Sequence, residues 1–185
     1  MSGHHTHNHV GAPSALANMP GIERVNTPIS TAELERRWAA VRAKMAEKKI
    51  DVLLMQATQD FMGGYVKYFT DLPASNGYPI TVVFPKDDLI TMVRQGDIGG
   101  EEIVPAGGNA RYRGVKKVRY SSFFTSAYYT LDYYAELAAK ALEENAHAVI
   151  GLVGRGTLGV AFVDYLRNKF PKAKFIDASD MVDRI

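Results

Sequence analysis

The chain reads as an α/β protein, a sheet covered by helices, and three observations carry that expectation. Leu34, Trp38, Val41 and Met45 recur at the spacing of one helical face, with Glu35, Arg36, Arg42 and Glu47 on the rest. That helix feeds straight into Val52-Leu53-Leu54-Met55, an apolar run too short for a helix and without the alternation of a strand that has one wet face. Helix-period and strand-period segments then succeed one another to the end of the chain. A strand buried on both faces needs layers above and below it, which a bundle or a two-sheet sandwich does not supply.

The elements follow in order. Ser30, with Glu33 three residues on and Pro28 before it, has the pattern of a capping box, and Lys48 and Lys49 fall where a helix C-terminus favours positive charge. After the apolar strand, residues 59–68 predict a short helix with Asp60 as a cap and Gly63-Gly64 weakening its middle, ending in Tyr68-Phe69-Thr70-Asp71. Residues 72–77 are turn-rich. The segment 78–84 reads as a strand with Pro79 at its start, 85–88 as a turn, and 89–93 as the returning strand of an antiparallel hairpin. Residues 96–109 form a glycine-rich connection. Basic and apolar residues alternate from Arg111 to Arg119, the pattern of an edge strand protected by charge, with a strand over 115–120. The aromatic cluster Phe123, Phe124, Tyr128 and Tyr129 suits a packing face or an oligomer interface. A helix over 131–145 places Leu131, Tyr134, Ala138, Ala141 and Leu142 on one side. It is followed by a strand at 148–153, a helix at 158–170, a strand at 174–177, and a last helix with Ser179 as its N-cap.

Composition narrows the function classes. A chain of 185 residues with 46% hydrophobic content can bury a real core, most simply as one domain. No apolar run approaches the roughly 18 residues of a membrane span, and no signal-peptide block opens the chain. Without cysteine there are no disulfides and no thiolate metal ligands, which suits a cytoplasmic protein. A net charge of +2 from 22 basic and 20 acidic side chains leaves no electrostatic footprint for nucleic acid. Residues 1–28 lack any period and read as a flexible arm; His4, His5, His7 and His9 in it have no fixed surroundings and suit a solvated tail better than a metal site.

One motif points to a ligand. Gly154-Arg155-Gly156-Thr157-Leu158-Gly159 follows a strand, opens a helix and is trailed by Asp177, the pattern of a dinucleotide site with pyrophosphate at a helix N-terminus and ribose on a carboxylate. Against it, only one βαβ unit follows, and the upstream hairpin does not belong to a doubly wound half. The competing reading is a glycine-rich strand-to-helix turn in which Gly supplies unusual backbone angles. The remaining candidates are weaker. His147 has no partner at motif spacing; Asp51, Asp60, Asp71, Asp87 and Asp88 show no metal-ligand spacing; and no serine occupies a nucleophile elbow.

The order of elements and several local sequences resemble the N-terminal domain of the creatinase, prolidase and Xaa-Pro aminopeptidase family. The segments that carry the resemblance are Arg36-Arg37-Trp38-Ala39-Ala40-Val41-Arg42, Lys49-Ile50-Asp51-Val52-Leu53-Leu54, Tyr68-Phe69-Thr70-Asp71-Leu72 and the hairpin, and they close with 175–185. Two positions depart: Tyr65 stands where the family often has Asn, and Asp71 replaces its usual glycine. The resemblance implies a three-layer α/β domain with a mixed sheet, ribonuclease H-like in topology, over residues 29–178, with 179–185 beginning a linker helix to a catalytic domain. It implies a domain that is itself non-catalytic, that assists homodimer formation, and that leans the loop from Tyr68 to Tyr78, with Phe69, Asp71 and Asn76, over the partner subunit's active site. Two divalent metal ions held by carboxylates and one histidine are implied for the downstream catalytic domain, and none for this chain. The rival readings are a nucleotide-binding module using Gly154, Gly156, Gly159 and Asp177, and a free-standing interaction domain.

Overall fold

The computed structural model describes residues 28–57, 64–72, 78–106, 111–122, 127–143 and 149–185, the side chains of 127–132 excepted. Its first element, α1 (Thr31–Lys48), begins as the sequence predicts: the Ser30 hydroxyl accepts the Glu33 backbone N–H at 3.1 Å. Only that half of the capping box forms, because the Glu33 carboxylate turns to Arg36 and Arg37 instead. The helix stops at Lys49, which takes the left-handed conformation (φ 56°) while its N–H bonds the Ala46 carbonyl and the Ile50 N–H bonds that of Met45. This is a Schellman stop built on a lysine instead of glycine.

The remaining elements are β1 (Val52–Ala57), α2 (Gly64–Thr70), β2 (Ile80–Pro85), β3 (Ile90–Gln95), β4 (Glu101–Ile103), β5 (Val115–Ser121), α3 (Ala127–Glu143), β6 (Val149–Leu152), a 3-10 turn (Arg155–Thr157), α4 (Val160–Lys169), β7 (Lys174–Asp177) and α5 (Ser179–Asp183). Among the described residues the strands form a single sheet in the order β4-β5-β3-β2-β1-β6-β7. β2 runs antiparallel to β1 and β3, and β4 antiparallel to β5, while β1, β6 and β7 are parallel neighbours, as are β3 and β5. The sheet is therefore mixed.

Alternation along the strands builds two cores. Leu53, Met55, Val82, Phe84 and Met92 face Leu34, Trp38, Val41 and Met45 of α1, Val66 and Phe69 of α2, and Met181 and Val182 of α5. Val52, Leu54, Val83, Val93 and Ile150 face Tyr134, Ala138 and Leu142 of α3 and Phe162 and Leu166 of α4. These are the three layers, and they explain why β1 is apolar throughout its first four residues: each of its six residues is buried. Each fully buried large side chain contributes about 1.5–3 kcal/mol, so this two-sided burial is the main stabilising term.

Several boundaries differ from expectation, with identifiable causes. β5 is not an edge strand, since β4 pairs with it; three residues inside a glycine-rich stretch give too short a pattern to recognise. Its basic side chains serve instead as partners, Arg119 reaching Glu101 at 2.6 Å. The second helix starts at Gly64 and runs on through the aromatic segment to Thr70, and Asp60 lies outside the described residues. Ser179 is the first residue of α5, whose N-cap position is held by Ala178. The N-terminal histidines, His147, Phe123 and Phe124 also lie outside the described residues, and Tyr128 and Tyr129 are described in their backbone alone.

Candidate functional site

The corner where α2 ends holds three of the residues that the sequence marks for function, Tyr68, Phe69 and Asp71. Its C-terminal carbonyls, which an isolated helix leaves bare, are taken up by α1: Trp38 Nε1 donates to the Phe69 carbonyl at 2.8 Å and Arg37 Nη1 to that of Tyr68 at 3.3 Å. Asp71 follows in the left-handed region, φ 60°, the conformation that most favours glycine and that aspartate tolerates better than most residues. Its Oδ2 accepts the Ile29 N–H at 3.0 Å and Arg113 Nη2 at 2.8 Å, while Arg113 Nη1 also donates to the Ile29 carbonyl. The side chains of Arg113 and Asp71 retain only 17% and 11% of their exposure, so the pair sits largely out of water. An aspartate where glycine is expected thus ties together the start of α1, the end of α2 and the turn before β5.

The five loop residues separate on this geometry. Phe69 is fully buried, edge-on to Phe84 with ring centroids 4.9 Å apart, and belongs to the core. Asp71 is committed to Arg113. Tyr68 is half-buried; its ring lies under the Arg37 guanidinium at 4.6 Å, while its hydroxyl is buried without a hydrogen-bond partner among the described residues, so it offers a ring to its surroundings and not a hydroxyl. Tyr78 is half-buried in a bridge before β2. Asn76 lies outside the described residues.

Beside this corner lies the glycine turn. Gly154 has φ 68°, and a Cβ built on it would sit 2.7 Å from two carbons of the Tyr65 ring. Its N–H donates to Ser179 Oγ at 2.9 Å, and that hydroxyl donates to Asp177 Oδ1 at 2.7 Å. The Asp177 carboxylate also accepts the Ser179 N–H at 3.0 Å and has Arg155 at 3.7 Å. The Ser179 N–H and hydroxyl, helped by Arg155, hold its carboxyl below the usual carboxylate range. The Thr157 N–H returns to the Gly154 carbonyl, and the Gly159 N–H faces Gln56 Oε1 at 3.5 Å. A 3-10 turn and two further residues separate Gly154 from the first residue of α4. The amides of Gly154, Thr157 and Gly159, which a phosphate cradle would present, are thus directed to the protein itself, and Asp177 serves the start of α5. A Cβ added at Gly156 would meet no atom within 4 Å, and this glycine is simply exposed turn.

Tyr65 joins the two features. Its hydroxyl donates to Asp183 Oδ1 at 2.8 Å, and burial, followed by this bond to a carboxylate, pushes its pKa up to about 12. Gly64, Tyr65 and Tyr68 of α2 and Val182, Asp183 and Ile185 of the C-terminal segment line an open groove of about 340 Å³. The sequence marks Tyr65 only as a departure from a pattern and gives no sign of Arg113 or Asp183. Their partners are 118 residues away for Tyr65 and 42 for Arg113, so no local signal reveals them.

Fold and site define a three-layer α/β domain with a mixed sheet, whose conspicuous acids act as caps and ion-pair partners. Its family follows from comparison: residues 37–185 match the creatinase/prolidase N-terminal domain, and the chain belongs to that family. Solved structures share the fold. A proline dipeptidase from Streptococcus pneumoniae superposes with a TM-score of 0.54 at 12% identity, over 80% of this chain and 94% of its own. An Xaa-Pro aminopeptidase from Streptococcus pyogenes gives 0.55 at 15%, over 84% and 98%. For the dipeptidase PepE of Mycobacterium ulcerans the values are 0.55 and 17%, over 86% of this chain but 38% of that one. No curated protein sequence matches the chain. Among the described residues no three His, Cys, Asp or Glu side chains gather as metal ligands would. Nor is any helix among them long and apolar enough to cross a membrane.

Proposed function

We propose that the chain is the non-catalytic N-terminal domain of a metal-dependent Xaa-Pro aminopeptidase or creatinase-like hydrolase, contributing to dimerisation and to substrate selection at the partner's active site. The observation that carries this reading is how the fold is shared. It covers all of an isolated N-terminal domain of an X-Pro dipeptidase from Streptococcus pyogenes, yet 35% of an X-Pro aminopeptidase from Thermotoga maritima. On this reading the chemistry belongs to a second domain of the same cytoplasmic polypeptide, where a metal pair would activate water.

Within the loop from Tyr68 to Tyr78, Phe69 and Asp71 have structural duties, so substrate contact falls to the ring of Tyr68 and to Asn76 and Tyr78. Shape contacts of this kind discriminate by roughly 1–3 kcal/mol per methylene-sized difference. Three experiments test the proposal. The reading frame should continue into a domain of about 200 residues carrying spaced Asp, Asp, His, Glu and Glu; an early stop codon would instead favour a free-standing interaction domain. Sedimentation should show a dimer. A thermal scan with NAD, NADP and ATP should show no stabilisation, whereas a nucleotide held on Gly154, Gly156, Gly159 and Asp177 would add roughly 2.7 kcal/mol at 100 times its Kd.

A further inference from the structure

The sheet ends on β7, and among the described residues no strand lies beyond it. The Ala178 N–H donates to the Leu152 carbonyl at 2.8 Å, so along the parallel ladder Lys174 and Ile176 turn their backbone groups to β6, while Phe175 and Asp177 turn theirs outward. Sheet edges are commonly guarded by charge, yet the middle of this one is apolar. Phe175 packs at the margin of the core under α3 and α4, and Ile176 at the margin of the opposite core, each half-buried. On the α4 side the edge continues into a hollow of about 140 Å³ between Leu158, Val160 and Val163, with Val160 77% exposed. Arg155 and Arg167 also line the hollow and place it along β7, since Arg155 lies 3.7 Å from Asp177 and Arg167 lies over the Phe175 ring at 5.9 Å.

This edge is complementary to itself. In an antiparallel pair, residues whose backbone groups point to the partner strand stand opposite one another. A two-fold axis at Ile176 satisfies that rule: Phe175 exchanges both backbone hydrogen bonds with the partner's Asp177, and Ile176 meets the partner's Ile176. The charges agree as well. Asp177, with its side chain 49% exposed, comes to lie beside the partner's Phe175 and within reach of the partner's Arg167, a residue whose own carboxylate, Asp164, is no nearer than 3.9 Å. An axis moved to Phe175 would bring the two Arg167 guanidiniums together instead. The other edge of the sheet does not suit a second copy. A pairing centred on β4 would set Glu102 against Glu102, and Pro105 just beyond has no N–H to give.

We propose that β7 is the docking edge for a second copy of this chain, joining two sheets into one across a two-fold axis at Ile176. This gives the dimer proposed above a specific interface and rests on that dimer forming. Sedimentation equilibrium of the chain and of its charge variants tests it. Arg167→Glu and Asp177→Lys should each weaken dimerisation roughly tenfold, and the double variant should restore it, because the exchanged charges again attract. In the parent, the amide protons of Phe175 and Asp177 should exchange more slowly in the dimer than after dilution to monomer, since only the dimer gives them acceptors. Melting curves establish that each variant is folded. Folded single variants that dimerise like the parent, a folded double variant no tighter than the singles, or Phe175 and Asp177 amides as fast in the dimer as in the monomer would each overturn this interface and leave dimerisation standing. A chain that stays monomeric would remove both.

Discussion

The ring of Tyr65 lies against Gly154 so closely that a single added methyl on the glycine would meet two ring carbons at 2.7 Å. This contact, together with a left-handed φ of 68°, accounts for the glycine at the head of a dinucleotide-like motif without any ligand. Gly154→Ala is therefore expected to destabilise the domain by about 2–4 kcal/mol, backbone and clash combined. Gly156→Ala, with open space around it, should fall within about 0.5 kcal/mol of the parent. Urea denaturation of the two variants measures the contrast. Loss of stability in both, or in neither, would remove this explanation of the motif.

The pair formed by Asp71 and Arg113 is largely shielded from water, and each partner left alone would be a charge with too little solvation. Asp71→Ala and Arg113→Ala should each cost about 2–3 kcal/mol, short of the full penalty of a deeply buried pair. A double-mutant cycle should show that the two losses do not add. Asp71→Gly separates the two roles of the residue. It relieves the left-handed backbone yet loses the carboxylate, and should be milder than Asp71→Ala.

Acid should weaken the first helix. Hydrogen bonds from Arg36 and then Arg37 lower the Glu33 pKa from 4.5 to about 2. A carboxylate whose folded pKa is depressed contributes stability that is complete above its unfolded pKa and is lost as pH falls through the folded one, so the window is pH 4.5 down to about 2. Thermal melts across that range should show Glu33→Gln with a flatter acid limb than the parent. Because the cluster is at the surface, high salt should shrink the difference.

The buried hydroxyl of Tyr68 has no hydrogen-bond partner among the described residues, and removing it relieves a desolvated oxygen without disturbing the ring beneath Arg37. Tyr68→Phe should leave stability unchanged or raise it by about 1 kcal/mol in chemical denaturation. Tyr68→Leu should lower it, through loss of the ring contacts.

Where the sequence was legible, burial was periodic. The face of α1 made by Leu34, Trp38, Val41 and Met45 and the doubly covered β1 are where spacing places them, because each pattern follows from one element meeting the sheet. The family resemblance rested instead on short local sequences, Tyr68-Phe69-Thr70-Asp71-Leu72 among them, and on the order in which they follow one another. What stayed hidden depends on contacts distant in the chain. Asp71 looks like an anomaly in a turn until Arg113 is beside it, and Gly154 looks like a phosphate ligand until Tyr65 is. β4 escaped notice because three residues carry no period, and it forms only because β5 offers it a ladder.

The central claim is that this domain assists chemistry located in another part of the polypeptide. The most direct measurement is hydrolysis of an Xaa-Pro dipeptide by the purified chain with divalent metal added, followed by release of free proline. The account predicts no release above a metal-only blank. Turnover proportional to protein concentration would contradict it.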